Sequence, residues 1–315
     1  MRSKSTTLLL IVIGLSLTLL GAAGCRMRSR TDAPQEGGAP QVVIAPSDAP
    51  ADPKAASAPL VDADGDGIDL AEKEEIRRSY ALKPGESVNV YGINGRLRVE
   101  TAEVATAEVL IVRSAKKKED LQYHQIRIEH DEDGLTIRTE SDRKSIFSAI
   151  GTLPEGRQRV LLRLPKKVDL DANAINGNVE IAGDLHGRAE IRGVTGSLKT
   201  GRISGETDIS GVNGSVDLAF APLTGKSIEM RGINGNIEMR FEGEVNADIS
   251  GRGVNGQIQA DLPNVEKPGG EDRPGRTRIR IGTGGTPIEL MGINGNVHLA
   301  KAETKGATAA KAPSK

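Results

Sequence analysis

The sharpest chemical motif in the sequence is an acidic run in which carboxylates alternate with small residues. Asp62, Asp64 and Asp66 occupy alternate positions and a Gly follows, as at the start of a calcium-binding loop. Lys73 stands where such a loop carries its bidentate Glu, so a neighbouring acidic residue would have to complete the site. The alternative is an acidic turn followed by a short helix from Leu70 to Arg78. Calcium is therefore the one cofactor that the sequence suggests.

Acidic residues on predicted strands are the remaining candidates for catalysis. The four His residues show no metal-ligand spacing, and the sequence has neither a nucleophile elbow nor a phosphate-binding Gly loop before a helix. A polysaccharide-acting enzyme would need paired carboxylates. Six acidic residues lie between apolar positions of predicted strands: Glu180, Glu190, Asp208, Asp217, Glu229 and Glu238. They are more simply the solvated face of each strand, so we predict that the protein is not an enzyme.

The sole Cys follows an apolar segment near the N-terminus. Basic residues precede the run from Leu8 to Leu20, and small residues lead to Cys25, which indicates an export signal over residues 1–24. The segment resembles a bacterial lipoprotein signal, in which the Cys is acylated. That resemblance implies a lipid anchor at Cys25 and a place in the bacterial cell envelope, on the periplasmic or surface side of the outer membrane. An uncleaved transmembrane helix over residues 6–24 is the alternative.

Composition narrows the class of fold and of partner. The 315 residues include 38 Gly but only three Tyr, three Phe and no Trp, which favours a thin, repetitive core. Lys and Arg number 42 against 43 Asp and Glu, so no strong field would recruit nucleic acid. Because aromatic platforms for base stacking are scarce as well, we expect no nucleic-acid partner.

Local patterns divide the chain into segments. Residues 25–75 are rich in Ala, Pro, Gly and Asp, which is typical of a flexible tether, here containing the acidic loop. Residues 76–165 carry short alternating runs and a turn sequence at Asp131–Gly134, which predicts an irregular β segment with a hairpin. Residues 301–315 have no core positions and are predicted to be a disordered tail.

A short unit recurs through residues 166–300. Apolar residues stand at offsets zero, four and six with Gly at offset two, as in Val212, Val216 and Leu218 around Gly214. Offsets four and six face one side of a strand, and Gly permits a corner. Units start at nine-residue intervals over part of this region, and two units make a coil of about twenty residues. The pattern predicts an all-β fold, a single-stranded β-solenoid.

Several units carry Asn directly before the Gly. Coils stacked about 4.8 Å apart would align these side chains in one column, where amides hydrogen-bond along the stack. The column would contain Asn176, Asn213, Asn234, Asn255 and Asn294. Since Asn-Gly is also a strong hairpin signal, the alternative is an antiparallel meander with Met230 opposite Met239. The nine-residue spacing continues where Asn-Gly is absent, which favours the solenoid.

The fuller motif Gly-Ile-Asn-Gly occurs at residues 92–95, 232–235 and 292–295. With these motifs the chain resembles the bacterial putative adhesins with head GIN domains, and more closely the related β-strand-repeat adhesin-like proteins. The resemblance covers about residues 77–299 and implies a right-handed β-helix-like fold on the envelope. It implies neither a particular ligand nor a set of catalytic residues.

These patterns together predict an envelope-anchored lipoprotein with a non-catalytic β-solenoid. A binding or adhesion scaffold is the favoured function, with an envelope glycan or protein as its partner and the membrane contacted through the lipid anchor. A structural role in envelope assembly is the second hypothesis. A polysaccharide-acting β-helix enzyme is the least favoured.

Overall fold

The computed structural model describes residues 70–123, 125–140, 156–267 and 275–302, which form an all-β structure with one short 3-10 helix at Lys118–Tyr123. In chain order the strands are β1 Glu72–Ala81, β2 Ser87–Tyr91, β3 Gly95–Ala102, β4 Thr106–Ala115, β5 Gln125–Asp131, β6 Gly134–Glu140, β7 Gly156–Pro165, β8 Asp169–Ile175, β9 Val179–Leu185, β10 Ala189–Val194, β11 Leu198–Ile203, β12 Thr207–Val212, β13 Val216–Phe220, β14 Ile228–Arg231, β15 Ile237–Phe241, β16 Ala247–Arg252, β17 Ile258–Asp261, β18 Val265–Glu266, β19 Arg276–Ile281, β20 Thr286–Met291 and β21 Val297–Lys301.

The strands form two large mixed sheets. The first sheet has the order β1-β4-β7-β3-β9-β11-β13-β15-β21-β17, and the second β18-β19-β16-β20-β14-β12-β10-β8-β2-β6-β5. From β8 to β15, consecutive strands alternate between the two sheets, and strands two places apart pair in parallel. Leu198 lies opposite Val216, 18 residues on, and Val216 opposite Ile237, 21 residues on. We call each pair of consecutive strands, one in each sheet, a coil.

Alternating apolar residues hold the two sheets together. In β13, Val216, Leu218 and Phe220 are buried while the residues between them are half-exposed. The same alternation recurs in the other strands of the repeat, and the buried side chains form one hydrophobic cluster that extends from Leu82 to Leu299. Phe220 stacks on Phe241 of the neighbouring coil, with ring centroids 5.3 Å apart. The period-two pattern therefore sets which side chains enter the core.

The repeat units do not fold as hairpins. Met230 lies in β14 of the second sheet and Met239 in β15 of the first, so the meander that would place them opposite each other is wrong. Each Asn-Gly instead connects one sheet to the other, and Asn213 pairs in parallel with Asn234. The hairpin predicted at Asp131–Gly134 is confirmed, because β5 and β6 pair antiparallel with these two residues opposite each other.

The last coil is out of sequence order. Strands β20 and β21 lie between the β14–β15 coil and the β16–β17 coil, whereas the sequence predicts consecutive stacking. Leu290 and Leu299 of the inserted coil are fully buried and stand opposite Gly251 and Ala260 of the β16–β17 coil. In the first sheet β21 is paired on both sides while β17 is the terminal strand, so Leu299 is buried more completely than Ala260.

The N-terminal boundary also differs from the prediction. Strand β1 begins at Glu72, inside the predicted tether of residues 25–75, and pairs with β4 along its whole length. The short helix proposed from Leu70 to Arg78 is therefore wrong. Strands β2 and β3 pair in parallel with β8 and β9, so residues on both sides of the predicted division at 165 share the same two sheets.

Candidate functional site

A column of side-chain amides follows the corner between the two sheets. Asn176 Nδ2 donates to Asn94 Oδ1 at 2.9 Å, and Thr195 Oγ1 donates to Asn176 Oδ1 at 2.7 Å. Further along the stack, the donor–acceptor pairs are Asn234 to Asn213 at 3.0 Å, Asn294 to Asn234 at 3.0 Å, and Asn255 to Asn294 at 3.1 Å. The order is therefore 213, 234, 294, 255, in agreement with the inserted last coil.

Two members of this column were not among the five predicted Asn residues. Asn94 belongs to the first Gly-Ile-Asn-Gly motif. This motif is visible in the sequence, but a long stretch of chain separates it from the next repeat. Thr195 takes the place of Asn in the coil that carries Val-Thr-Gly, and its hydroxyl continues the hydrogen bonding. A column position therefore accepts a short polar side chain other than Asn.

The Gly after each Asn allows neighbouring coils to approach. A Cβ atom added at Gly235 would lie 2.2 Å from the carbonyl oxygen of Gly214, and one at Gly295 would lie 2.1 Å from that of Gly235. Both distances are far below van der Waals contact. These glycines are therefore required by the backbone of the adjacent coil as well as by the corner itself.

A second polar column runs beside the first and was missed by the sequence reasoning. Asn178 Oδ1 accepts the backbone N–H of Ser197 at 2.9 Å, and Asn236 Oδ1 accepts that of Asn296 at 3.0 Å. Asn296 Oδ1 in turn accepts the N–H of Gln257 at 3.0 Å. The second Asn of the sequence Gly-Ile-Asn-Gly-Asn, which occurs at residues 232–236 and 292–296, could have predicted this column.

The six candidate carboxylates are divided between the sheets and lie beside basic side chains. Glu190, Asp208 and Glu229 are neighbours in the second sheet, and Asp217 and Glu238 in the first. Their partners are Arg96 for Glu180 at 2.8 Å, Arg188 for Glu190 at 3.0 Å, Arg231 for Asp208 at 2.6 Å and for Glu229 at 3.4 Å, Arg240 for Asp217, and His298 for Glu238 at 2.8 Å. These contacts favour ion pairs on the strand faces.

One His lies between Glu238 and a further carboxylate, that of Asp261, and was not predicted to have a role. Nδ1 of His298 is 2.8 Å from Glu238 Oε2, and its Nε2 is 2.8 Å from Asp261 Oδ2. The two carboxylates belong to the coils on either side of the inserted last coil. Hydrogen bonds to Asp261 and Glu238 raise the pKa of His298, because both favour the protonated ring.

A cleft of about 310 Å³ opens beside the start of the two polar columns. Arg96, Arg157 and Arg159 line it together with Asn176 and Asn178. Arg96 and Arg159 stand next to each other on adjacent strands, and Arg157 is exposed to solvent. Arg96 is already paired with Glu180 at 2.8 Å. The exposed Arg157 therefore supplies the guanidinium that suits carboxylate or phosphate oxygens, next to amides that suit hydroxyl groups.

Other predicted site residues lie outside the described residues. They are Cys25 of the export signal and the candidate calcium ligands Asp62, Asp64 and Asp66. The predicted tail of residues 301–315 is described only as far as residue 302.

A metal-binding cluster and a membrane-spanning helix are both absent from residues 70–123, 125–140, 156–267 and 275–302. No group of three or more His, Cys, Asp or Glu side chains there could hold a metal ion. The same residues contain no helix of the length and apolarity needed to cross a membrane.

Comparison with known proteins finds similarity in solved structures only. No protein-family model and no curated protein sequence matches the chain. A putative cell adhesion protein from Clostridium sporogenes ATCC 15579 is 12% identical with a TM-score of 0.38, over 73% of this chain and 100% of that one. A putative adhesin from Bacteroides fragilis NCTC 9343 is 13% identical with a TM-score of 0.33, over 73% and 97% of the two chains.

A third similar structure is a putative lipid binding protein from Parabacteroides distasonis ATCC 8503. It is 12% identical with a TM-score of 0.27, over 73% of this chain and 98% of that one. The chain is thus similar to structures of putative adhesins, the class that its Gly-Ile-Asn-Gly motif indicates.

Proposed function

We propose that this protein is a non-catalytic β-solenoid scaffold of the bacterial cell envelope, and that it binds an envelope polymer carrying negatively charged groups. The parallel pairing of strands that alternate between two sheets supports a solenoid, because each coil then lies on the preceding one. The observation that carries the binding role is the arginine-lined cleft at the start of the polar columns.

The chemistry of the cleft favours an acidic polysaccharide. Guanidinium groups bind carboxylates through paired, charge-assisted hydrogen bonds. Beside them, the exposed amides of Asn176 and its neighbours repeat along the stack at about the 4.8 Å strand spacing. A sugar polymer has both kinds of partner, acidic groups for the exposed Arg157 and hydroxyl groups for the amides.

Arg157 provides the test of this ligand class. We expect the full chain to bind polygalacturonate, a polymer of acidic sugars, and to bind neutral dextran much more weakly. Arg157→Ala should lower the affinity for polygalacturonate about tenfold, because a charge-assisted hydrogen bond contributes roughly 1.5 kcal/mol. Isothermal titration calorimetry at fixed ionic strength measures both affinities.

Arg252→Ala is the matched control, since Arg252 is also exposed but lies outside the cleft. It should leave the affinity for polygalacturonate unchanged. Equal binding of dextran and polygalacturonate, or an equal loss in the two Arg variants, would contradict the proposed ligand.

The scaffold is proposed to be held in the envelope by a lipid on Cys25. The apolar run from Leu8 to Leu20 followed by small residues supports an export signal of the lipoprotein type. Cys25→Ser should move the protein from the membrane fraction to the soluble fraction after cell fractionation. The wild-type chain and an Arg252→Ala chain, both expected in the membrane fraction, serve as controls, and membrane retention of the Cys25→Ser chain would rule out the anchor.

A further inference from the structure

The amide column consists largely of Asn residues that are followed directly by Gly. Six such Asn-Gly sequences occur, beginning at Asn94, Asn176, Asn213, Asn234, Asn255 and Asn294. In an Asn-Gly sequence the backbone nitrogen of the Gly can attack the side-chain amide carbon of the Asn, because Gly has no side chain to hinder the approach. The sequence alone makes all six alike, so the surroundings of each pair decide which one reacts.

Hydrogen bonds between coils hold both reacting groups at the interior corners. The Gly235 N–H donates to the Asn294 carbonyl oxygen at 3.0 Å, and the Gly214 N–H donates to that of Asn234 at 3.0 Å. The side-chain amide of Asn294 is bonded on both sides, donating to Asn234 and accepting from Asn255. The same two-sided bonding holds the amides of Asn94, Asn176 and Asn234. Attack at these corners requires a local opening of the stack.

Asn255 and Gly256 form the last corner of the stack and lack these restraints. Among the residues that the structure describes, none accepts the Gly256 N–H and none donates to Asn255 Oδ1. Gly256 is exposed, whereas Gly235 and Gly295 are half-buried. The three glycines share φ values of 153° to 155°. The last corner therefore differs in hydrogen bonding and exposure, and its Gly has the same φ as the interior ones.

We propose that Asn255 is a site of spontaneous deamidation, at which the chain converts slowly to Asp and isoaspartate. The Gly256 nitrogen loses its proton to water and bonds to Cγ of Asn255. The Cγ–Nδ2 bond breaks, and the leaving nitrogen takes a proton from water and departs as ammonia. Water then opens the resulting succinimide at one carbonyl to give Asp or at the other to give isoaspartate.

Conversion removes contacts that hold β17 on the stack. An Asp carboxylate cannot donate to Asn294 Oδ1, which accepts from Asn255 at 3.1 Å. Isoaspartate also lengthens the backbone by a methylene group, although Asn255 pairs with Asn294 and Ile258 with Val297 in a fixed register. Because β17 is the terminal strand of its sheet and each coil contacts only its neighbours, the change loosens β17 and leaves the interior coils in place.

Ageing of the purified full chain tests the site. The folded chain and the chain unfolded in urea are kept in mildly alkaline buffer, which favours the deprotonated Gly nitrogen. Peptide mass spectrometry then follows deamidation at every Asn-Gly sequence. In the folded chain we expect Asn255 to convert about tenfold faster than Asn234 or Asn294, because those corners must first break hydrogen bonds on both sides. In urea all the sites should convert at comparable rates.

Two results of this experiment would overturn the proposal. One is conversion of Asn255 in the folded chain no faster than that of Asn234 and Asn294. The other is an equally strong preference for Asn255 in urea, because the preference would then come from the local sequence and not from the hydrogen bonds between coils.

Asn255→Thr separates this reaction from other effects of ageing. Thr195 occupies the same column position and donates through its hydroxyl, so the Asn255→Thr chain keeps a donor for Asn294 but has no amide to lose. Hydrogen exchange of β17 should become about fivefold faster on ageing of the wild-type chain, the scale of one lost hydrogen bond, and stay unchanged in Asn255→Thr. Fresh Asn255→Asp should exchange fast from the start. An equal change in the aged wild-type and Asn255→Thr chains would refute the effect on β17.

Discussion

At the scale of single residues, the polar columns depend on the glycines that follow each Asn. The amides hydrogen-bond between coils at about 3 Å only because the corner backbones lie in contact, with a carbonyl oxygen where a Cβ would otherwise be. Thr195 shows that the polar position itself varies. The Gly position is the stricter of the two, since a misplaced Cβ there meets backbone that cannot rotate away.

Gly235→Ala tests this close approach. The new Cβ would lie 2.2 Å from the Gly214 carbonyl oxygen, so two coils must separate, and we expect the free energy of unfolding to fall by about 3 kcal/mol. Gly225→Ala is the matched control, because Gly225 has a positive φ of 81° but no atom within 4 Å of the added Cβ. That substitution should cost about 1 kcal/mol of conformational strain. Urea denaturation measures both, and equal losses would show that strain rather than contact matters.

At the scale of elements, antiparallel strands flank the parallel coils. Strands β1, β4 and β7 pair antiparallel at one end of the first sheet, and β19 pairs antiparallel with β16 near the opposite end of the second. Asp248 on β16 joins this arrangement, accepting from Arg280 Nε at 2.8 Å and from the Gly285 N–H at 2.9 Å. It therefore links β19 to the turn that leads into the inserted coil.

Acidic pH should weaken the pairing of β19 with β16. The Arg280 guanidinium, and then the Gly285 N–H, lower the pKa of Asp248, so its contribution to stability is complete above the unfolded pKa and is lost as pH falls through the lowered value. We expect hydrogen exchange of β19, corrected for intrinsic rates, to accelerate at acid pH. Asp248→Asn should give fast exchange at neutral pH and remove most of the acid dependence. Asp133→Asn, at an exposed turn, is the control, and an unchanged acid dependence in the Asp248 variant would refute the role of this carboxyl.

At the scale of the whole described structure, the hydrophobic cluster is continuous but its members are not equally buried. Ile191, Ile209 and Leu218, in the middle of the strand orders, are fully buried. Ile128 of β5 and Ile258 of β17, each in a terminal strand of a sheet, are only partly buried. Because each coil contacts only its neighbours, stability should follow this gradient.

Hydrogen exchange along the chain tests the gradient. We expect the backbone amides of β10 to β13, which have a paired strand on both sides, to exchange most slowly under native conditions. Those of β5 and β17, which have one neighbour in their sheet, should exchange fastest. Mass spectrometry of peptides from both regions measures this difference. Uniform protection would instead indicate a single cooperative opening of the whole stack.

The sequence by itself determined which residues are buried and where the chain turns. Apolar residues at offsets zero, four and six are buried in the unit Val212, Val216 and Leu218, and the Gly between them lies at the corner. These features follow from the two-residue period of a strand and from the absence of a Cβ in Gly, which are local properties. For the same reason, the strands of the repeat and the hairpin at Asp131–Gly134 were predictable from short windows, whereas β1 was not.

Only the tertiary structure decided which coil lies beside which. The sequence predicts Asn255 next to Asn234, yet Asn294 lies between them, and this insertion alone brings His298 between Glu238 and Asp261. The cleft with Arg96 and Arg157 likewise requires strands β3 and β7, which are distant in the chain, to be neighbours. Coils with the same repeat pattern compete for the same neighbours, and the outcome depends on the sum of buried area and charge contacts over the whole stack, which no local pattern contains.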